Sequence, residues 1–182
     1  MEQASALKMT EGKLSLINDR ITTLHAKLED LLFRAQRIAA NEKNKIKSND
    51  SMFGYDLQNF RKEIRTFSHE IGALPNLIGG IERAAFFEEV SIRPAQAVMR
   101  IADRVSKALR TLHDHACLAH SHIREADHKI EAWYLIQEVE QMSQKAQSLP
   151  TVANKVVIKI STPLNPTGTP VNPASTAVIP PK

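Results

Sequence analysis

The chain has 182 residues, 42% of them hydrophobic and 24% charged, with a formal net charge of +4, the profile of one soluble folded domain and not of a chain disordered throughout. Its single cysteine excludes an intrachain disulfide framework, and six glycines exclude a collagen-like or glycine-loop architecture. No apolar run approaches the roughly 18 residues that a membrane-spanning helix needs, and Met1-Glu2-Gln3-Ala4 lacks the basic-then-apolar order of a secretory leader, so a cytoplasmic protein is expected.

The first element is a long helix. Leu14, Ile17, Ile21, Leu24, Leu28, Leu31, Ala35 and Ile38 alternate steps of three and four, and Leu7 and Thr10 extend the register backwards. A seam of that length packs a helix along its whole side against neighbours. Gly12 weakens the first turns, so the helix is expected from about Lys13, ending in the polar, lysine-rich stretch 41–50.

A second seam follows through Phe53, Leu57, Phe60, Ile64, Phe67, Ile71 and Leu74, with Pro75 placed to stop or kink it. A shorter helix over 76–90 carries Leu77, Ile81, Ala84, Ala85 and Val90. Ser91 and Pro94 then read as a new helix start.

From Pro94 to Leu149 no Gly or Pro intervenes. Val98, Ile101, Val105, Leu109, Leu112, Ala116, Ala119, Ile123, Ala126, Ile130 and Trp133 form a seam with a four-four stutter around Val105. Val139, Met142, Ala146 and Leu149 continue it after a slip near Leu135-Ile136. An unbroken helix over this span is about 80 Å long, against about 40 Å across for a compact sphere of this chain length. The lengths favour a rod.

Seven of the nine prolines lie from Pro150 onward, in a stretch without Asp or Glu. Within it the β-branched run 151–160, with Val156, Val157, Ile158 and Ile160, reads as one short β-strand that either lies along the bundle or adds to a partner's sheet, followed by an extended proline-rich tail over 161–182. The expected fold is therefore all-α: an elongated antiparallel three- to four-helix, coiled-coil-like bundle over 1–149, with a strand and flexible Pro/Thr-rich tail over 150–182. Off-seam apolar residues Leu16, Leu32, Phe33, Phe86, Leu118 and Tyr134 point to self-association or a partner helix.

Chemistry-bearing residues gather in 113–128, which holds five of the seven histidines. His113, Cys117 and His120 share a helix face, a ligand row suited by type to zinc or copper, while His115 and His122 lie on the other flank of the Ala116/Ala119 seam. The row ends at Arg124, a cation where a fourth ligand is wanted. Glu125-x-x-His128 is half of a di-iron motif whose second copy is missing. Solvated or packed helix residues, and a pH sensor, are the competing readings. Cys117 lacks the helix N-terminus and third group that an acyl-transfer nucleophile needs.

Arg93, Arg100, Arg104 and Lys107 form a basic face at helical spacing that could meet nucleic-acid phosphates or acids of a neighbouring helix. Trp133 and Tyr134 could anchor a partner or cap the core. With no phosphate loop, complete metal set or catalytic triad, the expected function is non-enzymatic: a scaffold or adaptor acting through helical packing and a C-terminal docking tail. No cofactor is expected beyond zinc or another transition metal on the histidine row. A basic bundle binding nucleic acid, and a metal-binding or pH-sensing bundle centred on 113–128, are the alternatives.

Overall fold

A computed structural model of the chain describes residues 2–47, 49–84 and 92–161. They form α1 (Glu2–Lys43), α2 (Phe53–Ala84), α3 (Ile92–His122), α4 (Ala126–Gln147) and α5 (Leu149–Ser161). At 42 residues α1 is about 63 Å long, and α2 at 32 residues is about 48 Å. The bundle is elongated, as the seams require.

The α1 seam is buried as its spacing dictates: Thr10, Leu14, Ile17, Ile21, Leu24, Leu28, Leu31 and Ala35 face inward, with Ile38 packed at the end. The helix runs through Gly12 from Glu2, earlier than expected, since one exposed glycine costs only about 1 kcal/mol against Ala. It ends in a Schellman arrangement: Lys45 N donates to the Glu42 carbonyl at 3.1 Å and Ile46 N to the Asn41 carbonyl at 2.8 Å. Lys45 takes the left-handed position usually held by glycine, at φ 56°.

In α2, Phe53, Leu57, Phe60, Ile64, Phe67, Ile71 and Leu74 are buried, and Pro75 does not end the helix. Proline removes its own donor, but Ile78, four residues after Leu74, is fully buried and holds the helix together across the lost bond. The separate helix expected from residue 76 is thus the last part of α2. Residues 85–91 lie outside the described residues.

The third seam differs from expectation in two ways. Its residues are Val98, Ala102, Val105, Leu109, Leu112, Ala116, Ala119 and Ile123, a regular heptad with no stutter. Ala102 holds the position that Ile101 was expected to hold, and Ile101 packs on the flank. The helix also breaks, at Ile123-Arg124-Glu125, and Glu125 turns extended (φ −62°, ψ 128°) to lead into α4. Beyond the break the register restarts as Ala132, Leu135, Val139, Met142, Ala146, Leu149 and Ala153. The break folds the last segment back along the bundle, so the unbroken helix expected over 94–149 is α3 followed by α4 and the start of α5.

α5 corrects the β-strand expected at Val156, Val157, Ile158 and Ile160. The segment is helical through Ser161. Leu149 and Ala153 are fully buried, and Val152 and Val157 pack against the core at helical spacing. The penalty for β-branched residues in a helix is a few tenths of a kcal/mol each, which such burial exceeds. Pro150 falls in the first turn, where its missing donor is tolerated. The proline-rich tail over 162–182 lies outside the described residues.

Pairs of residues set the directions of the helices. Lys27 meets Glu63 and Arg34 meets Asp56, so α1 and α2 are antiparallel. His115 meets His25 and His122 meets Gln36, both numbers rising together, so α1 and α3 are parallel neighbours. Arg61 beside Glu131 and Gly72 beside Lys145 make α2 and α4 parallel. α3 also packs against α4 and α5, and α5 against α2, while α2 and α3, consecutive in sequence, sit on opposite corners. Among the described residues no helix is long and apolar enough to cross a membrane.

Candidate functional site

α3 is the helix on which the chemically distinctive residues fall, and its small seam residues decide how they are presented. Ala102, Ala116 and Ala119 let the neighbouring helices approach closely, so the positions flanking the seam are pressed against α1 on one side and α4 on the other.

On the α1 side, His115 Nδ1 lies 2.6 Å from His25 Nε2, with the rings edge to face at 4.4 Å and 64°. The other nitrogen of His25 lies 3.6 Å from Glu29 Oε1, one turn further along α1. One donor atom from each of these three residues lies within 4.8 Å of the other two; among the described residues this is the cluster so arranged. A shallow depression of about 260 Å³, bounded by Ile21, Thr22, His25, Ala108 and Thr111, opens beside it. Further along, His122 Nε2 lies 3.5 Å from Gln36 Nε2.

On the other side, Cys117 Sγ lies 3.9 Å from His113 Nε2. Burial raises the Cys117 thiol, and the nearby Asp114 and Glu140 raise it further. The environment keeps the sulfur protonated and works against a nucleophilic role. Burial also pushes His120 below the usual imidazole range, with Lys129 adding to it. The division of the histidines between two flanks is as the helical spacing requires. The structure pairs His113 with Cys117, but the three-residue cluster is made by His115 with His25 and Glu29. Those two residues are some 90 positions away in sequence, and the only local sign of them is a His and a Glu four apart on the α1 face.

At the end of the bundle, the α1–α2 and α3–α4 connections enclose a cavity of about 440 Å³ bounded by Ile38, Asp50, Phe53, His122, Glu125 and His128. Glu125 and His128, the half-motif of the sequence, are joined at 2.9 Å. The His128 ring stands edge-on to Phe53, centroids 5.5 Å apart. The nearby Asp50 carboxyl is lowered from its ordinary pKa, first by the side-chain bond from Arg34.

Trp133 and Tyr134 are on the surface of α4 and not in its seam, because the register restarts after residue 125. Their rings meet edge to face at 5.3 Å, and the Arg61 guanidinium lies 4.6 Å over Tyr134. Arg61 itself is clamped by Glu131 at 2.7 Å and Glu138 at 3.2 Å. Burial works against its charge, but the two carboxylates outweigh it and its pKa is raised. In α5, Val157 is partly buried against the core; the side chains of Val156, Ile158 and Ile160 lie outside the described residues.

The basic face divides. Lys107 pairs with Asp103 one turn back, at 2.7 Å. Arg100, Arg104 and Arg110 are exposed, and among the described residues none has a carboxylate at ion-pair distance. The side chain of Arg93 lies outside the described residues.

Compared with known protein families, curated proteins and solved structures, the chain gives no significant match. Its chemistry has to be read from its own surface.

Proposed function

We propose that the chain is a non-enzymatic assembly component, a helical bundle that joins another protein through an outward helix face. The observation that carries this reading is the stripe of Ile130, Trp133 and Tyr134 on α4, 54%, 49% and 44% exposed, while Leu135, Val139 and Met142 of the same helix fill the core. Residues three and four apart share one face, and large exposed apolar stripes mark interfaces. Trp and Tyr are the residues that most often dominate binding energy. Here the edge-to-face pair and the Arg61 stack pre-order them, which lowers the entropy lost on association. The partner is a helix, and a second copy of this chain is the first case to test.

Sedimentation of the full chain across a range of concentrations tests the reading. Association should weaken at least about tenfold with Trp133→Ser or Ile130→Ser, both surface changes that leave helicity intact. A chain that stays monomeric at every concentration and retains no protein from its source cells removes it. The expected docking strand is no longer part of the reading, because that segment belongs to the bundle.

A second reading, binding of nucleic-acid phosphates along α3, is favoured by the exposed guanidinium groups of Arg100, Arg104 and Arg110. Three such contacts give a slope of log affinity on log salt of roughly −3. A flat salt response ends this reading.

A further inference from the structure

We propose that His25, Glu29 and His115 bind a divalent transition-metal ion of the zinc class, which ties α1 to α3. The donor set is two imidazoles and a carboxylate, the composition of many three-ligand zinc sites that keep a water in the fourth position. The residues come from two helices, so the site exists only when α1 and α3 are packed side by side.

Two imidazole nitrogens 2.6 Å apart can face each other only if something positive lies between them. In the ion-free protein that is the proton of one ring, donated to the lone pair of the other. A metal ion displaces that proton, which shifts through solvent to the other nitrogen of the same ring, and takes the two facing lone pairs. With bonds of about 2.0–2.1 Å, tetrahedral donors stand roughly 3.3 Å apart, so the rings separate by less than 1 Å as the ion enters. His25 and His115 are half-buried, and Glu29 is exposed and supplies the negative charge. The neighbouring depression beside Thr22 and Thr111 leaves room for water to complete the coordination. The ion is distinct from one on the His113–Cys117 side, where a thiolate would have to form in a setting that keeps the thiol protonated. The inference does not rest on the assembly reading and holds for a monomer equally.

The test is equilibrium dialysis of the full chain, freed of any affinity tag and stripped with chelator, against Zn²⁺ and separately Co²⁺. One equivalent of each should bind. His25→Ala and His115→Ala should each weaken binding at least about tenfold, Glu29→Gln should weaken it less, and His113→Ala and Cys117→Ser should leave it unchanged. The cobalt form should show visible d–d bands and no thiolate-to-cobalt band in the near ultraviolet. Circular dichroism checks that each variant is helical; where an alanine variant is not, the Asn variant at the same position carries the comparison. Three results overturn the proposal: no saturable binding, binding undiminished by both histidine changes, or binding abolished by Cys117→Ser with a thiolate band in the wild-type chain.

Discussion

Arg34 of α1 donates from Nε and Nη2 to the two carboxylate oxygens of Asp50, at 2.7 and 2.8 Å. Its remaining nitrogen reaches Asp56 of α2 at 2.9 Å, and the guanidinium lies 5.7 Å over the Phe53 ring. Both partners of the fork are largely buried, at 17% and 9% side-chain exposure. The fork thus fastens the α1–α2 connection to the helix before it. Bonds to charged groups contribute about 1.5–3 kcal/mol each to stability when buried. Arg34→Ala is expected to lower the unfolding free energy by about 2 kcal/mol, and Arg34→Lys by nearly as much, because an ammonium cannot make the fork. Urea denaturation measures both.

The same pair sets a pH dependence. Arg34 holds the Asp50 carboxyl below its ordinary value of 3.8 in the folded chain. A group whose pKa is depressed by folding stabilises the protein fully above its unfolded value and loses that contribution as the pH falls through the folded one. Stability should therefore decline from about pH 4 downward. Asp50→Asn should start less stable at neutral pH and decline less steeply in acid. Urea midpoints at pH 7 and through the acid range check this; equal slopes for the two proteins would contradict it.

Between α1 and α2 runs a ladder of three ion pairs: Arg20 with Glu70, Lys27 with Glu63 at 2.7 Å, and Arg34 with Asp56 at 2.9 Å. Each rung steps seven residues forward on α1 and seven back on α2, so only one antiparallel register satisfies all three. The Arg20–Glu70 and Lys27–Glu63 rungs are half-exposed, and such pairs are worth about 0.2–1 kcal/mol. A double-mutant cycle on Lys27→Ala and Glu63→Ala should give a coupling of about 0.5 kcal/mol that fades at high salt. Exchanging the charges, Lys27→Glu with Glu63→Lys, should recover most of what either single change loses.

The ladder also marks how far the sequence could be read. The seams of α1 and α2 were legible because large side chains repeat without interruption from Leu14 to Ala35 and from Phe53 to Leu74. Arg20, Lys27 and Arg34 also stand seven apart in the sequence, but their acidic partners are assigned only once the antiparallel register is known. At residue 101 the sequence suggests Ile as the seam residue, yet the helix packing takes the smaller Ala102 and leaves Ile101 on the flank. The break at 123–125 carries no Gly or Pro. Its signature is a change of phase, the Val98–Ile123 heptad failing to predict Ala132 and Leu135. In α5 the β-branching of 156–160 argues for a strand, but the helical spacing of Leu149, Ala153 and Val157 against the core overrides it. The His25–Glu29–His115 cluster was out of reach, since it needs α1 and α3 placed in parallel.

Pro75 sits inside α2 and is half-buried, and its neighbours Leu74 and Ile78 are buried. Its ring costs the helix one backbone bond and crowds the carbonyl of Ile71. Pro75→Ala should restore that bond and raise stability by about 1–3 kcal/mol, visible as a higher thermal midpoint. An unchanged or lower midpoint would mean that packing of the pyrrolidine ring outweighs the missing bond.

Among the described residues, Gly54 is the one glycine where the fold requires the absence of a side chain. A Cβ built on it would fall 2.2 Å from His128 Nε2 and 2.8 Å from Cδ2. The imidazole cannot easily retreat, since it stands edge-on to Phe53 and is bonded to Glu125 at 2.9 Å. Ala in place of Gly inside a helix normally stabilises by about 1 kcal/mol. Here overpacking reverses the sign, and Gly54→Ala should destabilise by about 1–3 kcal/mol. The second change locates the cause. His128→Ala on its own removes the Phe53 and Glu125 contacts and should be mildly destabilising, but in its presence Gly54→Ala meets open space and should regain its helix-favouring effect. The two substitutions would then be strongly non-additive in urea denaturation. Additive losses would show that the methyl group clashes with something other than His128.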